Sequence, residues 1–416
     1  MAKLTVRDLD VRGQRVFLRV DYNVPMEEKD GRMVITDSTR IVETLPTLKL
    51  LIEKGGKLIL TAHLGRPKGK REATMSLQPV AVKLSELLGK PVAFVDDCIG
   101  EKVEKAVAAM KDGDVMLLEN VRYYNEEEKN DPVFAEKLAR VADVYVNDAF
   151  GAAHRAHAST EGVARVVARR GGKCAAGLLM ERELKFLGDE LEKPARPFVV
   201  ILGGAKVSDK IKVIDRLLEK ANTILIGGAM AYTFKLAHGE KVGKSLVEPD
   251  HKQTALDAEA KARKLKVDFE LPEDVVVATP VETGKLNKKG KPVLDFTNIR
   301  TVSGDIPDGA EGFGVGEKTA ARYAEIIKGA KTILWNGPLG MFEDPRFAAS
   351  TNIVAQAVAE ATQKGAKSII GGGDSVKALK KAKLGDRVTF MSTGGGASLE
   401  FLEGAVLPGV AALSEK

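Results

Sequence analysis

Short apolar, β-branched runs alternate along the chain with longer stretches whose apolar residues recur at helical spacing. In the first half the runs are Arg15–Val20, Lys57–Thr61, Val92–Val95, Asp114–Leu118 and Val144–Asn147. In the second they are Phe198–Leu202, Thr223–Ile226, Val275–Ala278, Thr332–Trp335, Lys367–Ile370 and Arg387–Met391. Leu77–Leu88, Pro132–Ala142 and Ala320–Lys328 carry the helical pattern. Strand–helix alternation of this kind predicts parallel sheets covered by helices on both faces. A charged helix over Met180–Leu191 leads into Lys193-Pro194-Ala195-Arg196-Pro197, where two prolines stop a helix and suit a stiff connector. No internal sequence repeat is evident, and Thr283–Pro292 reads as a polar, basic surface turn.

At 416 residues the chain exceeds one ordinary core. The expectation is an α/β protein of two Rossmann-like domains with parallel sheets, joined by a hinge helix. The first domain spans 1–179 with 402–416 returning to it, the hinge 180–197 and the second domain 198–401. Hydrophobic residues at 44% and charged residues at 29% fit a globular chain. No window approaches the ~20 apolar residues of a membrane helix, and MAKLTVRDLD lacks the apolar core of a secretory signal. Two cysteines, Cys98 and Cys174, cannot build a disulfide framework and read as inert thiols of a reduced, cytoplasmic protein. A net charge of +6 is small for this length and does not by itself indicate nucleic-acid binding.

In an open parallel sheet, ligands gather beyond the carboxyl ends of the strands, so the residues just after each run are the place to search. In the first half those residues are polar and cationic: Asp21 and Asn23, then His63 and Arg66, then Arg122, then His154 and Arg155, with Arg40 nearby. One arginine after a strand is an ordinary surface residue. Three from one sheet, with a histidine, suit a small polyanion, because guanidinium groups offer paired donors to phosphate and carboxylate oxygens. In the second half glycines succeed the strands: Gly203-Gly204 with Lys206 and Lys210, Gly227-Gly228, Gly371 to Gly373 with Asp374, and Gly394 to Gly396. Glycines that open helices let backbone amides approach phosphates, and the dipole adds attraction. Asp374 suits both helix capping and a Mg²⁺ ion carried on phosphates.

Two look-alikes fall away. Gly239 to Ser245 is one residue short of a phosphate-binding loop and comes after a helix. Gly312-Phe313-Gly314-Val315-Gly316 misses the dinucleotide spacing. His154-x-x-His157 lacks further ligands for a zinc site, so anion contact or local structure is expected of both.

RVFLRVDYNVP, TAHLGRPKG, LLENVRYY, VNDAFGAAHRAHAS, ILGGAKVSDKI, WNGPLGMFE, GGGDSV and TGGGASLEFLEG succeed one another over nearly the whole chain. In this order they resemble the phosphoglycerate kinase family, with Tyr22 where phenylalanine is usual. The resemblance implies that Asp21, Asn23, Arg40, His63, Arg66, Arg122 and Arg155 hold 3-phosphoglycerate or its acyl phosphate. It implies that Lys206 and Lys210 meet the nucleotide phosphates and the group in transfer, and that Glu343 binds the ribose. Gly371, Gly372, Gly373 and Asp374 would hold phosphate and metal, with Gly395 facing the transferred phosphoryl. Gly312, Asn336 and Pro338 would line the nucleoside pocket. Gly314 and Glu317 depart from the family's usual Asp and Pro.

The implied reaction is Mg²⁺-dependent, in-line transfer between 1,3-bisphosphoglycerate and ADP, catalysed by a monomer that closes about its hinge. Arg40, Lys206, Lys210, Gly372 and Gly395 would stabilise the charge in flight. A nicotinamide oxidoreductase would need GxGxxG after a strand and an acid about 20 residues later, and neither is present. A nucleic-acid-binding protein would need a basic face with stacking aromatics, yet aromatics are 5% with a single tryptophan.

Overall fold

A computed structural model describes residues 3–287 and 290–416. The chain divides into two compact units: up to Lys185 with Gly396–Phe401 and Ala405–Lys416, and Phe186–Gly395 with Leu402–Gly404. Among the described residues the first unit holds strands β1 (Arg15–Val20), β2 (Met26–Lys29), β3 (Arg32–Ile35), β4 (Lys57–Thr61), β5 (Val92–Val95), β6 (Val115–Leu118), β7 (Val144–Asp148) and β8 (Cys174–Ala176). Six of them form a parallel sheet in the order β5-β6-β4-β1-β7-β8. β2 and β3 make a separate antiparallel hairpin. The central strands are buried on both faces, which is why they read as near-continuous apolar runs rather than alternating ones. Val16, Leu18 and Val20 of β1 pack with Leu48 and Leu51 of helix Thr39–Glu53 and with Val80 and Leu84 of helix Gln78–Leu88.

The second unit contains β9 (Phe198–Leu202), β10 (Thr223–Ile226), β11 (Asp268–Glu270), β12 (Asp274–Leu286), β13 (Pro292–Ser303), β14 (Glu311–Val315), β15 (Thr332–Asn336), β16 (Lys367–Gly371) and β17 (Phe390–Met391). Its parallel sheet runs β11-β10-β9-β15-β16-β17. That is the doubly wound order, with its reversal between β9 and β15. Trp335 of β15 is fully buried in a core with Val354 and Val358 of helix Ala349–Gln363.

Every apolar run singled out in the sequence lies on a strand, with shifts of a few residues; Arg387–Met391 shrinks to Phe390–Met391, because Gly385–Arg387 forms a helical turn. Val275–Ala278 requires a correction. It is the start of a long strand in an antiparallel sheet β13-β12-β14, not part of a parallel one. Thr283 to Leu286 continue that strand, so the expected surface turn is narrower, and residues 288 and 289 of it lie outside the described residues. The charged helix is interrupted: Leu178–Leu184, a wider turn over Lys185–Asp189, then Glu190–Glu192. Gly239 takes a left-handed turn (φ +85°) after helix Met230–Ala237, as expected of a segment that is no phosphate loop.

Asp148, the last residue of β7, anchors helix Leu178–Leu184 by accepting the amides of Leu179 (3.0 Å) and Met180 (3.1 Å). Burial pushes its carboxyl up to about 6, only partly offset by Thr47 and these two amides. The folded protein therefore binds this proton more tightly than the unfolded chain, and wild-type stability falls as pH rises from about 4 to about 6. Asp148→Asn keeps an acceptor without the buried charge. It should gain about 1–3 kcal/mol in denaturant unfolding at pH 7, shrinking to nothing below about pH 4; a gain that ignores pH, or a loss at pH 7, contradicts this.

Candidate functional site

In the first unit the carboxyl ends of β1, β4, β6 and β7 carry the cationic and polar residues expected there. Asp21 comes directly after β1 and accepts Arg40 Nη1 at 2.8 Å on each of its carboxylate oxygens. Arg40 sits in the first turn of helix Thr39–Glu53, and among the described residues its Nε and Nη2 have no partner. Asn23 accepts the Gly65 amide (2.9 Å) and so ties the loop after β1 to the loop after β4. Arg122 lies in a tight helical turn after β6, shaped by Asn120, and donates to the Gly65 carbonyl (2.9 Å). Arg66 and Arg155 are exposed and make no ion pair among the described residues; Arg155 donates to His154 Nε2 (3.1 Å).

Positive charges crowd here with few carboxylates to balance them. The Arg122 guanidinium is pulled down by burial and by Arg19 and Arg155, against Glu128 at 3.4 Å. His63 is held well below the usual imidazole range by burial, then by Arg19, Arg122, Arg40 and His157. His157 is lowered to about 4 by burial and by Arg122, Arg19 and Arg155. Both rings are therefore neutral at pH 7, and the basin's charge resides on its arginines. Arg19 was missed in the sequence. It lies inside β1, 1% exposed, and the signal was available: an arginine flanked on both sides by the apolar residues of the run.

In the second unit the loops after β9 and β15 meet at the reversal of strand order. A Cβ on Gly203 would stand 2.0 Å from the Pro338 carbonyl oxygen, and one on Gly337 (φ +100°) 2.2 Å from the Gly203 oxygen. Glycine is therefore required by backbone packing. The amides of Gly203, Gly227 and Gly228 donate to carbonyls of Asn336, Leu202 and Leu339. These glycines shape the mouth, and their amides are spent on the protein itself. That corrects the expectation that all the glycine clusters present amides to phosphate.

Gly372 (φ +82°) is the cap of helix Gly373–Lys381, and space above Gly373 is open. Asp374 is exposed in that helix's first turn and pairs with Lys377 at 3.0 Å. Asn336, 2% exposed at the end of β15, accepts Lys210 Nζ on its Oδ1, while its buried Nδ2 has no partner among the described residues. Lys210 is lowered to about 8 by burial, against the pull of Asp209 and Glu403. Lys206 is exposed and unpaired among the described residues. Gly395 (φ +53°) precedes helix Gly396–Leu402. Glu343 is exposed, its carbonyl accepting Lys381 Nζ at 2.7 Å.

Gly312 belongs to β14, where a Cβ would strike the Tyr232 ring at 2.3 Å. Gly314 packs its backbone on Gly340, where a Cβ would meet Cα at 3.1 Å; an aspartate there would have to push the two chains apart. Glu317 opens helix Glu317–Lys328, where an acid complements the dipole. Tyr22 fits its buried site because its hydroxyl meets Thr44 Oγ1 at 2.9 Å.

A family model described as "Phosphoglycerate kinase" matches residues 6–405. A phosphoglycerate kinase of Akkermansia muciniphila is 54% identical over all of this chain and 99% of that protein. A chloroplastic phosphoglycerate kinase of Volvox carteri is 52% identical over all of this chain and 87% of that one. Among solved structures, phosphoglycerate kinase from Coxiella burnetii superposes with a TM-score of 0.82 at 39% identity, covering 99% of this chain and 98% of that one. With sequence and fold agreeing over their whole length, the chain belongs to the phosphoglycerate kinase family.

Proposed function

We infer that the chain catalyses reversible phosphoryl transfer between 1,3-bisphosphoglycerate and ADP, yielding 3-phosphoglycerate and ATP. The observation that carries this reading is the contrast between the two carboxyl edges. One gathers arginines with donors to spare; the other joins a lysine, a buried unpartnered amide and an open helix start at its strand-order reversal. Asp21, Asn23, Arg40, His63, Arg66, Arg122 and Arg155 then hold the three-carbon acid. Lys206, Lys210, Asn336 and Gly371 to Asp374 take the nucleotide phosphates, with Gly312, Pro338 and Glu343 toward the nucleoside. In a loose transition state charge spreads over the equatorial oxygens, and Arg40, Lys210 and the amides at Gly372 and Gly395 stabilise it.

Mg²⁺ fits as an ion carried in with the nucleotide. Asp374 is a lone carboxylate, and the described residues contain no group of three or more His, Cys, Asp or Glu able to hold a metal. A hard cation bound through one carboxylate and phosphate oxygens needs no more than this. It would offset phosphate charge near Asp374. Among the described residues no helix is long and apolar enough to cross a membrane. Two free, buried cysteines suit a reducing cytoplasm, and we propose that a single chain is the working unit.

Purified chain, assayed for ADP formation from MgATP and 3-phosphoglycerate, should turn over only with both substrates; no turnover above background overturns the reading. Arg40→Ala should lower turnover on the order of a hundredfold while nucleotide affinity changes little, and an unchanged rate at saturation removes its role. Phosphates favour charged Lys210, so ADP binding near pH 8.5 should take up about three quarters of a proton. Calorimetry in buffers of different ionisation enthalpy reads this uptake, which Lys210→Met should abolish; buffer-independent heats contradict it. Because the two substrate sets are proposed on different units, closure about residues 180–197 is part of the reading. Scattering should show a smaller radius with 3-phosphoglycerate and an unreactive ATP analogue together than with either alone; an unchanged radius contradicts closure.

A further inference from the structure

Behind the cationic basin runs a buried polar chain that the phosphoryl transfer itself does not use. Arg19 has all its corners engaged by the protein. Nε donates to Ser159 Oγ (2.8 Å), Nη1 to the Val20 carbonyl, and Nη2 to His63 Nδ1 (3.0 Å). Ser159 in turn donates its hydroxyl to Glu127 Oε1 (2.5 Å) and its amide to Glu127 Oε2 (2.9 Å). Arg19 is 1% exposed, and Ser159 and Glu127 are wholly buried. A guanidinium so committed has no fork left for a ligand.

Its effect falls on His63. Arginine can only donate and stays charged. Nδ1 must therefore be the accepting nitrogen of a neutral ring, and the ring's proton must sit on Nε2. We propose that Arg19, held by Ser159 and Glu127, is a positioning residue that fixes His63 as the Nε2–H tautomer, a neutral donor for an anionic oxygen. Nε2 has no partner among the described residues, and His63 keeps 7% of its surface exposed. Arg122, Arg40 and His157 also face the ring and add to Arg19 in opposing its protonation. Glu127 supplies the compensating acid for Arg19 through Ser159, although burial works against its ionisation. A neutral donor has a use here. An imidazolium would add one more charge to an already repelling cluster, and the other tautomer would offer a lone pair to an anion.

The tautomer is set by hydrogen-bond chemistry alone; its value to catalysis rests on the proposed role of His63 at the acid substrate. Long-range ¹H–¹⁵N correlation of the histidine side chains in the wild-type protein separates the two. His63 should show a protonated Nε2 and a bare Nδ1, unchanged between pH 6 and 8; an Nδ1–H ring, or an imidazolium, overturns the proposal. Arg19→Lys keeps the charge but cannot reach Ser159 and His63 together. Its His63 should populate both tautomers, and KM for 3-phosphoglycerate should rise about tenfold or more with a smaller change in kcat, as expected for one lost bond to a charged group. A Lys variant that keeps the wild-type tautomer pattern overturns the role of Arg19. An altered tautomer with unmoved KM supports the tautomer assignment and removes His63 from the acid site.

Discussion

In a parallel sheet every strand leaves by the same edge, so loops far apart in sequence are delivered side by side. Register sets how closely. Leu18 of β1 pairs with Leu60 of β4 and Val146 of β7, so the three strands end nearly level and release Asp21, Ala62 and Ala149 at one rim. In the second unit Leu202 of β9 lies opposite Asn336 of β15, which brings Gly203 against Pro338. These backbone pairings, driven by apolar burial on both faces of each sheet, position the polar residues of the proposed sites. The side chains at the rim contribute little to that alignment.

The first rim carries an electrostatic load. Arg19, Arg40, Arg122 and Arg155 crowd together, and the acids that answer them are few and unequal. Asp21 takes Arg40 directly, Glu128 reaches Arg122 at 3.4 Å, and Glu127 meets Arg19 only through Ser159. Like charges held this way destabilise the folded protein and favour any anion that brings oxygens to them. The second rim works differently. There burial lowers Lys210, glycines let the backbones come close, and Asn336 Nδ2 is buried without a partner among the described residues.

The central strands were legible because burial on both faces writes an uninterrupted apolar run, as in FVVIL or TILI. The outer half of β12 and the whole of β13 were not, since they are largely exposed and their polar positions mimic loop composition. Cys174–Ala176 and Asp268–Glu270 are too short and too ordinary in composition to stand out. That the polar residues after each strand would sit at the carboxyl rims was readable, because topology fixes where such residues go. What it could not reveal was use: a glycine whose amide is consumed by a neighbouring carbonyl looks the same in sequence as one that is free. Arg19 was passed over for the converse reason, a charged side chain set inside a core strand.

The proposed division of labour requires the two rims to bind different ligands. Backbone amide chemical shifts, monitored as 3-phosphoglycerate and MgADP are added singly, test this most directly. The acid alone should move resonances at Asp21, Asn23, Arg40, His63, Arg122 and Arg155, and the nucleotide alone those at Lys206, Lys210, Asn336 and Gly372 to Asp374. Shifts from both ligands converging on one of these groups, with the other unmoved, would contradict it.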